Sequence, residues 1–192
     1  FGCGWGEFLT KIKNAKSLNG VELGKQYFKK ISSQNLNINL KSSINDFSFK
    51  FDLVTMFHVL EHIPYQIKIL KKILNKIKKK GYLIVEVPHA EDFLLQFDEL
   101  KEFKNFTFWS EHLILHTYKS LKVILKKAGF KKIDINYFQR YAFDNHLGWF
   151  IKKRPGGHDF FKKFSSDKFN LTYSKNLVKL KKTDTLIAIA KK

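Results

Sequence analysis

The sequence predicts an α/β domain built around a doubly wound, largely parallel sheet. Segments with the near-continuous apolar character of strands buried on both faces alternate with segments of helical periodicity. A glycine-rich turn at residues 2–6 leads straight into a helix-like segment, as where a sheet passes to a helix beside a ligand. The 192 residues, 44% of them hydrophobic, suit one domain with a sizeable core.

Residues 7–16 read as a helix behind the turn, and residues 18–23 as a short strand. The run Phe-Asp-Leu-Val-Thr-Met-Phe at 51–57 reads as a strand buried on both faces. Pro64 stands where a first helical residue would. Ile67, Leu70, Leu74 and Ile77 then recur at helical spacing as far as Lys80, and Gly81 is the expected left-handed cap. Residues 82–87 form the next buried strand, closed by Pro88. A helix over 117–128 is stopped by Gly129, and residues 131–138 and 185–190 read as two late strands. Between these lies an aromatic stretch from Arg140 to about Lys182, containing the turn Pro155-Gly156-Gly157. With no internal repeat or low-complexity linker, residues 1–192 are expected to form a single domain with one long insertion, at about 140–182.

Composition excludes several classes. Aromatic content of 16% argues against a disordered, collagen-like or coiled-coil chain. A single cysteine, Cys3, builds neither a disulfide framework nor a multi-thiolate zinc site. No apolar run approaches the roughly 18 residues needed to cross a bilayer, so no membrane span is expected; with no secretory leader in view, a cytoplasmic location is. The formal net charge is +19, yet only Arg140 and Arg154 are arginine, leaving 34 of the 36 basic residues as lysine. Nucleic-acid readers exploit the planar arginine fork. Lysine excess beside abundant Asn, Ile and Phe reads instead as coding bias, and runs such as 78–80 and 181–182 as solvated faces and helix ends. No specific nucleic-acid partner is expected.

The first chemical signal is Gly2-Cys3-Gly4-Trp5-Gly6. Alternating glycines let the backbone turn tightly and approach a ligand where a Cβ would clash. No Gly-Lys-Ser/Thr follows, and the spacing is not G-x-G-x-x-G, so neither the phosphate loop nor the dinucleotide fingerprint fits.

The G-x-G-x-G spacing resembles motif I of the class I S-adenosylmethionine-dependent methyltransferases, and other pieces fall in that family's order. Asn19-Gly20-Val21-Glu22 is similar to the end of the second strand, where the family places a carboxylate on the cofactor's ribose diol. Residues 51–54 through Val59-Leu60-Glu61-His62-Ile63 are similar to its fourth strand, Lys80-Gly81-Tyr82-Leu83-Ile84-Val85 to its fifth, and Ala128-Gly129-Phe130 to the turn before its sixth. The resemblance implies a Rossmann-like sheet of order 3-2-1-4-5-7-6 with an antiparallel last strand, and S-adenosylmethionine as cofactor. Gly2, Cys3, Gly4, Gly6, Glu22, Ser43, Ile44 and Phe57 would line its site, with Asp46 a further candidate near the adenine. The family's first strand and its acidic residue before the first glycine have no counterpart here, so an N-terminally truncated domain is expected, with unpaired backbone where the central strand would lie.

Two constellations compete for the chemistry. His58-Val59-Leu60-Glu61-His62 matches H-x-x-E-H, but that zinc pattern needs both histidines on one helix. Here a strand ends at His58 and Pro64 opens the next helix, so a strand-end loop is expected, with His62 bonding locally and no metal bound. Glu111-His112, with His116 four residues on and the helix start Tyr118-Lys119-Ser120-Leu121, admits a metal pair on one helical face or an acid–base pair. The pair resembles that of small-molecule and sugar methyltransferases, although Trp109 stands where some of those carry tyrosine. The resemblance implies His112 as base, with Glu111 beside it, acting on a hydroxyl of a small-molecule acceptor such as a sugar or polysaccharide precursor. His89, at a strand's carboxyl end, is a second candidate base. His146, His158 and the aromatics of the insertion are expected over the substrate. A non-catalytic cofactor- or partner-binding domain of the same fold is the alternative.

Overall fold

The computed structural model describes residues 1–33 and 37–192. In chain order it holds α1 (Glu7–Lys11), β1 (Leu18–Val21), α2 (Lys25–Ser33), β2 (Ile38–Lys41), β3 (Phe51–Phe57), α3 (Gln66–Lys76) and β4 (Ile77–Pro88). There follow α4 (Lys101–Thr107), α5 (Tyr118–Ala128), β5 (Ile133–Phe138), α6 (Phe143–Lys152), α7 (Gly157–Phe161), α8 (Asp167–Leu180) and β6 (Thr185–Lys191). β1 and β2 pair in parallel. β3, β4, β6 and β5 form a second sheet in that order, with β3 and β4 parallel and β6 antiparallel to both its neighbours. This is the expected doubly wound order, interrupted between β1 and β3.

The core lies where α3 and α5 cover the larger sheet. Leu70 and Ile73 of α3 and Leu121 and Leu125 of α5 are fully buried against Leu83, Val85 and Val87 of β4 and Leu186 and Ala188 of β6. α5 starts on a reciprocal cap: the Ser120 N–H donates to Thr117 Oγ1 (3.1 Å) and the Thr117 N–H to Ser120 Oγ (3.0 Å), satisfying two N–H groups the helix itself cannot.

Four expectations are corrected. α1 ends at Lys11, since Ile12 is already extended and Asn14 is left-handed. α3 begins at Gln66, two residues after Pro64, where the Gln66 side chain donates to Leu60 O at 2.7 Å. It ends at Lys76, and Ile77 already pairs with Phe51 of β3. Gly81 is therefore no helix cap but sits inside β4, where the ladder shifts register. A Cβ there would stand 2.7 Å from Asp52 O, so the glycine lets two backbones approach. Finally, β3 is not buried on both faces: Leu53 is 46% exposed, because the edge of β3 away from β4 faces a cleft.

The insertion at 140–182 is helical, comprising α6, α7 and α8. Phe103 of α4 and Trp149 of α6 meet edge to face, 5.0 Å between centroids, in a second small core with Leu94 and Leu100. Asp184, at the start of β6, receives the Arg140 and Tyr141 N–H groups (3.0 and 2.9 Å) and the Gln139 side-chain amide (2.8 Å), tying the beginning of the insertion to its end.

Candidate functional site

The carboxyl ends of β1 and β3 meet at the glycine turn, the place where open α/β sheets take ligands. Gly2 N–H donates to Val21 O (2.8 Å) after β1's last turn of chain, while the Phe1 amino group donates to Thr55 O of β3 (2.8 Å). The turn thus straddles the two sheets. Gly2 and Gly4 are left-handed, with φ of +67° and +50°. A Cβ on Gly2 would overlap Val59, whereas among the described residues nothing lies within 4 Å of one on Gly4. Bare backbone at Gly4 therefore faces open space.

Glu22, just past β1, holds this turn from below. One carboxylate oxygen accepts the Gly4 N–H at 2.8 Å and the other the Leu23 N–H at 2.8 Å. A charge-assisted bond of this kind fixes the loop more firmly than a neutral one. Cys3 packs onto Gly20, where a Cβ would stand 2.7 Å from its sulfur, and burial pushes its thiol pKa up; it is a packing residue with no sign of nucleophilic activation. Gly6 starts α1.

Beside the turn opens a cavity of about 1580 Å³ whose walls include Gly2, Cys3, Gly4, Ile44 and Phe57, together with His58, Glu86 and Arg140; the expected Gly6, Glu22 and Ser43 do not line it. Ile44 is buried, and Ser43 closes a cap with Asp46, whose carboxylate accepts the Ser43 N–H at 3.1 Å. Phe8 stands edge-on to Phe57 at 4.8 Å. Apart from the bonds of residues 1–3 to Val21 and Thr55, the edges of β1 and β3 that flank this cavity have no strand partner among the described residues.

The second half of the site is the loop after β3. His58 is held left-handed at φ +51°, a strained conformation for a residue with a Cβ. Its Nε2 lies 2.9 Å from Glu86 and its Nδ1 3.4 Å from Glu61. Burial opposes the imidazolium, but the two carboxylates outweigh it and lift His58 to about 9. Arg140 lies against His58 and, at 3.9 Å, Glu86. The short 3-10 turn Leu60–His62 follows. Sequence reading set His58 and Glu61 aside with the zinc pattern and overlooked Glu86 and Arg140. The available signal was the one charged residue in the apolar run 82–87.

The loop before α5 is stitched to this turn. Leu113 and Ile114 N–H groups both donate to Glu61 O (2.9 and 3.2 Å), and the His62 Nδ1–H donates to Glu111 O (2.7 Å). His62 thus bonds to a remote loop, where a local bond was expected. His112 donates its Nδ1–H to Thr107 O (2.7 Å), and the His62 and His112 rings stand 5.0 Å apart. Both leave Nε2 as the nitrogen with the lone pair. His112 and His116 share no helix, so the helical-face metal pair does not form.

The three sequence candidates for acid–base chemistry are placed differently. His112 is half-buried beside His62, while the Glu111 side chain is exposed. His89 is 1% exposed, with its Nδ1–H donating to Thr183 O (2.9 Å), and burial holds its pKa low. None of the three lines the cavity; His89 is enclosed against β6, and His112 stands beyond Glu61. His146 is likewise buried, bonded to Tyr173 Oη at 2.7 Å, and serves the packing of the insertion.

A family model described as a methyltransferase domain matches residues 1–135. By sequence alone the chain matches no curated protein. Among solved structures, a SAM-dependent methyltransferase from Archaeoglobus fulgidus is 22% identical over 100% of this chain and 83% of its own, with a TM-score of 0.62. A SAM-dependent methyltransferase from Thermotoga maritima is 16% identical over 100% and 79%, also at 0.62. The plantazolicin methyltransferase BpumL, in complex with a pentazolic desmethylPZN analog and SAH, is 15% identical over 100% and 74%, at 0.61. At these identities the likeness establishes the fold.

Proposed function

The chain belongs to the methyltransferase-domain family, and on that premise we propose that it transfers a methyl group from S-adenosylmethionine to a hydroxyl of a small molecule, with a sugar or polysaccharide precursor as the acceptor class. The observation that carries the cofactor is the bridge from Glu22, which lies outside the cavity lining, to the N–H of Gly4, which lines it. It sets a carboxylate, able to accept from a diol, beside a glycine whose open face leaves room for a ligand. The residues fit the group: Gly2 and Gly4 would border its amino-acid portion, Glu22 its ribose, and Ile44 and Phe57 its flat apolar ring.

When bound, the cofactor supplies an electrophilic methyl group on a sulfonium centre, and what remains for the protein is alignment and removal of the acceptor's proton. Phe57 and Ile44 exclude water from the cavity wall. Arg140 and the His58–Glu86 pair line the same cavity and would supply fixed charges that orient a polar acceptor. His112, its ring anchored on Thr107 O, would be the base although it lies outside the cavity lining; what supports it, and the hydroxyl, is the resemblance of the Glu111-His112 pair to sugar methyltransferases. The facing open edges of β1 and β3 support one more parallel strand between them, which would pair both.

The test is release of S-adenosylhomocysteine from S-adenosylmethionine against a panel of sugars, phenols and amines. A hydroxylated acceptor is expected to raise the rate above the acceptor-free background. His112→Ala is then expected to lower kcat roughly 100-fold while leaving the KM for S-adenosylmethionine within about twofold. Acceleration by amines alone, or an undiminished kcat in His112→Ala, overturns the hydroxyl assignment.

A further inference from the structure

Glu61 is fully buried, and among the described residues neither of its carboxylate oxygens has a hydrogen-bond partner. A buried carboxylate in that state costs several kcal/mol unless something cationic meets it. His58, the cation that Glu61 shares with Glu86, stands nearest, with Nδ1 3.4 Å away; it offsets part of that cost but hydrogen-bonds neither Glu61 oxygen, and its other nitrogen is committed to Glu86. The Nε2 of His62 lies 3.9 Å from the same Glu61 oxygen, with the His112 ring beside it. One ligand atom from each of Glu61, His62 and His112 can be chosen so that all three lie within 4.8 Å of one another.

We propose that Glu61, His62 and His112 form a binding site for one divalent transition-metal cation of the zinc class. Two imidazoles and a carboxylate are the donor set such ions prefer, and three protein ligands leave a position open. The surroundings are built for it. Each histidine donates its Nδ1–H to a backbone carbonyl, His62 to Glu111 and His112 to Thr107, both at 2.7 Å. That arrangement fixes the tautomer and leaves Nε2 as the donor, as in metal sites whose outer shell orients the ligands. The backbone bonds from Leu113 and Ile114 to Glu61 O hold the two loops together before any ion arrives. An ion bound at about 2.1 Å needs ligand atoms roughly 3.4 Å apart, within reach of small side-chain rotations.

Of the H-x-x-E-H residues at 58–62, not expected from the sequence to bind metal, His58 pairs with Glu86 and Arg140, and the third donor of the proposed site, His112, comes from about 50 residues further on. The site itself stands on this geometry alone. Its use rests on the reading above with one change: an ion on His112 Nε2 occupies the lone pair assigned there to the base, so activation of the acceptor would pass from His112 to the open position, which would take the hydroxyl oxygen and lower that hydroxyl's pKa.

Calorimetric titration of the whole chain with Zn²⁺ and visible absorption with Co²⁺ test the site without recourse to activity. One ion per chain is expected, with Co²⁺ bands of a low-coordinate site. Affinity should fall by about tenfold or more in Glu61→Gln and in His112→Ala, and remain unchanged in His158→Ala, whose side chain is on the exposed surface of α7. Thermal melts confirm folding; should Glu61→Gln not fold, the half-buried His112 still decides. Absence of Zn²⁺ binding by the folded chain, or equal affinity in His112→Ala, overturns the proposal. Metal binding without methyl transfer would leave the site standing and remove only its assigned use.

Discussion

Single side chains in this protein carry charge where burial makes charge costly. Asp92 is the clearest case away from the cavity. Its carboxylate accepts the Leu94 N–H at 2.8 Å, but burial, reinforced by the nearby Asp184, outweighs that bond and raises its pKa to about 7. An ordinary aspartate in the unfolded chain titrates near 3.8. The native state thus holds this proton more tightly, so the stability it contributes is whole below about pH 4 and is lost as the pH rises through 7. Asp92→Asn keeps an acceptor for Leu94 without the charge. At pH 8 its melting temperature should exceed the parent's by at least about 3 °C, the equivalent of about 1 kcal/mol for a domain of this size, and the gap should close towards pH 4. Thermal melts across that range check it; a gap independent of pH refutes the assignment. His58, Glu86 and Arg140 show the same principle in the cavity wall, where opposite charges meet across three separate segments. No local pattern announces such a meeting, which is why the sequence pointed to Glu111-His112 and His89, visible as a pair and as a strand end, and passed over Arg140.

At the scale of elements, what was legible followed local rules. Thr117 and Gly129 mark the two ends of α5 because capping chemistry is written within four residues, and β5 and β6 show their apolar runs directly. The misreading around Gly81 has a physical origin. Ile77 continues the helical spacing of Leu70 and Leu74, yet the chain leaves the helix to pair Ile77 with Phe51, and tertiary pairing overrode periodicity. α5 offers a direct test, since its cap is a Thr117 side chain meeting the Ser120 N–H. Thr117→Ala should cost about 1 kcal/mol in urea unfolding, and Thr117→Ser only a few tenths. Equal stability of all three forms would show that the cap is dispensable. The glycine turn was likewise legible as a turn, but not that Glu22 grips it through the Gly4 N–H, a contact made only when β1 returns beneath residues 2–6.

The whole molecule holds two sheets joined through one turn, with a cavity between them that the start of the insertion reaches through Arg140. Strand order was readable because five weak motifs stood in sequence; the merging of ligand pocket and inter-sheet cleft into one cavity was not, since it depends on which edges remain unpaired. The lysine-rich surface brings a net charge of +19, which raises local anion concentration without specifying a partner. The function assigned to this arrangement depends on one contact, Glu22 at the base of the glycine turn. Calorimetric binding of S-adenosylhomocysteine to the chain, to Glu22→Ala and to Glu22→Gln tests it most directly. Saturable one-to-one binding by the parent should weaken roughly ten- to hundredfold in both variants, the effect of losing charge-assisted hydrogen bonds. Binding of equal strength in all three, or none by a chain shown by its melt to be folded, would contradict it.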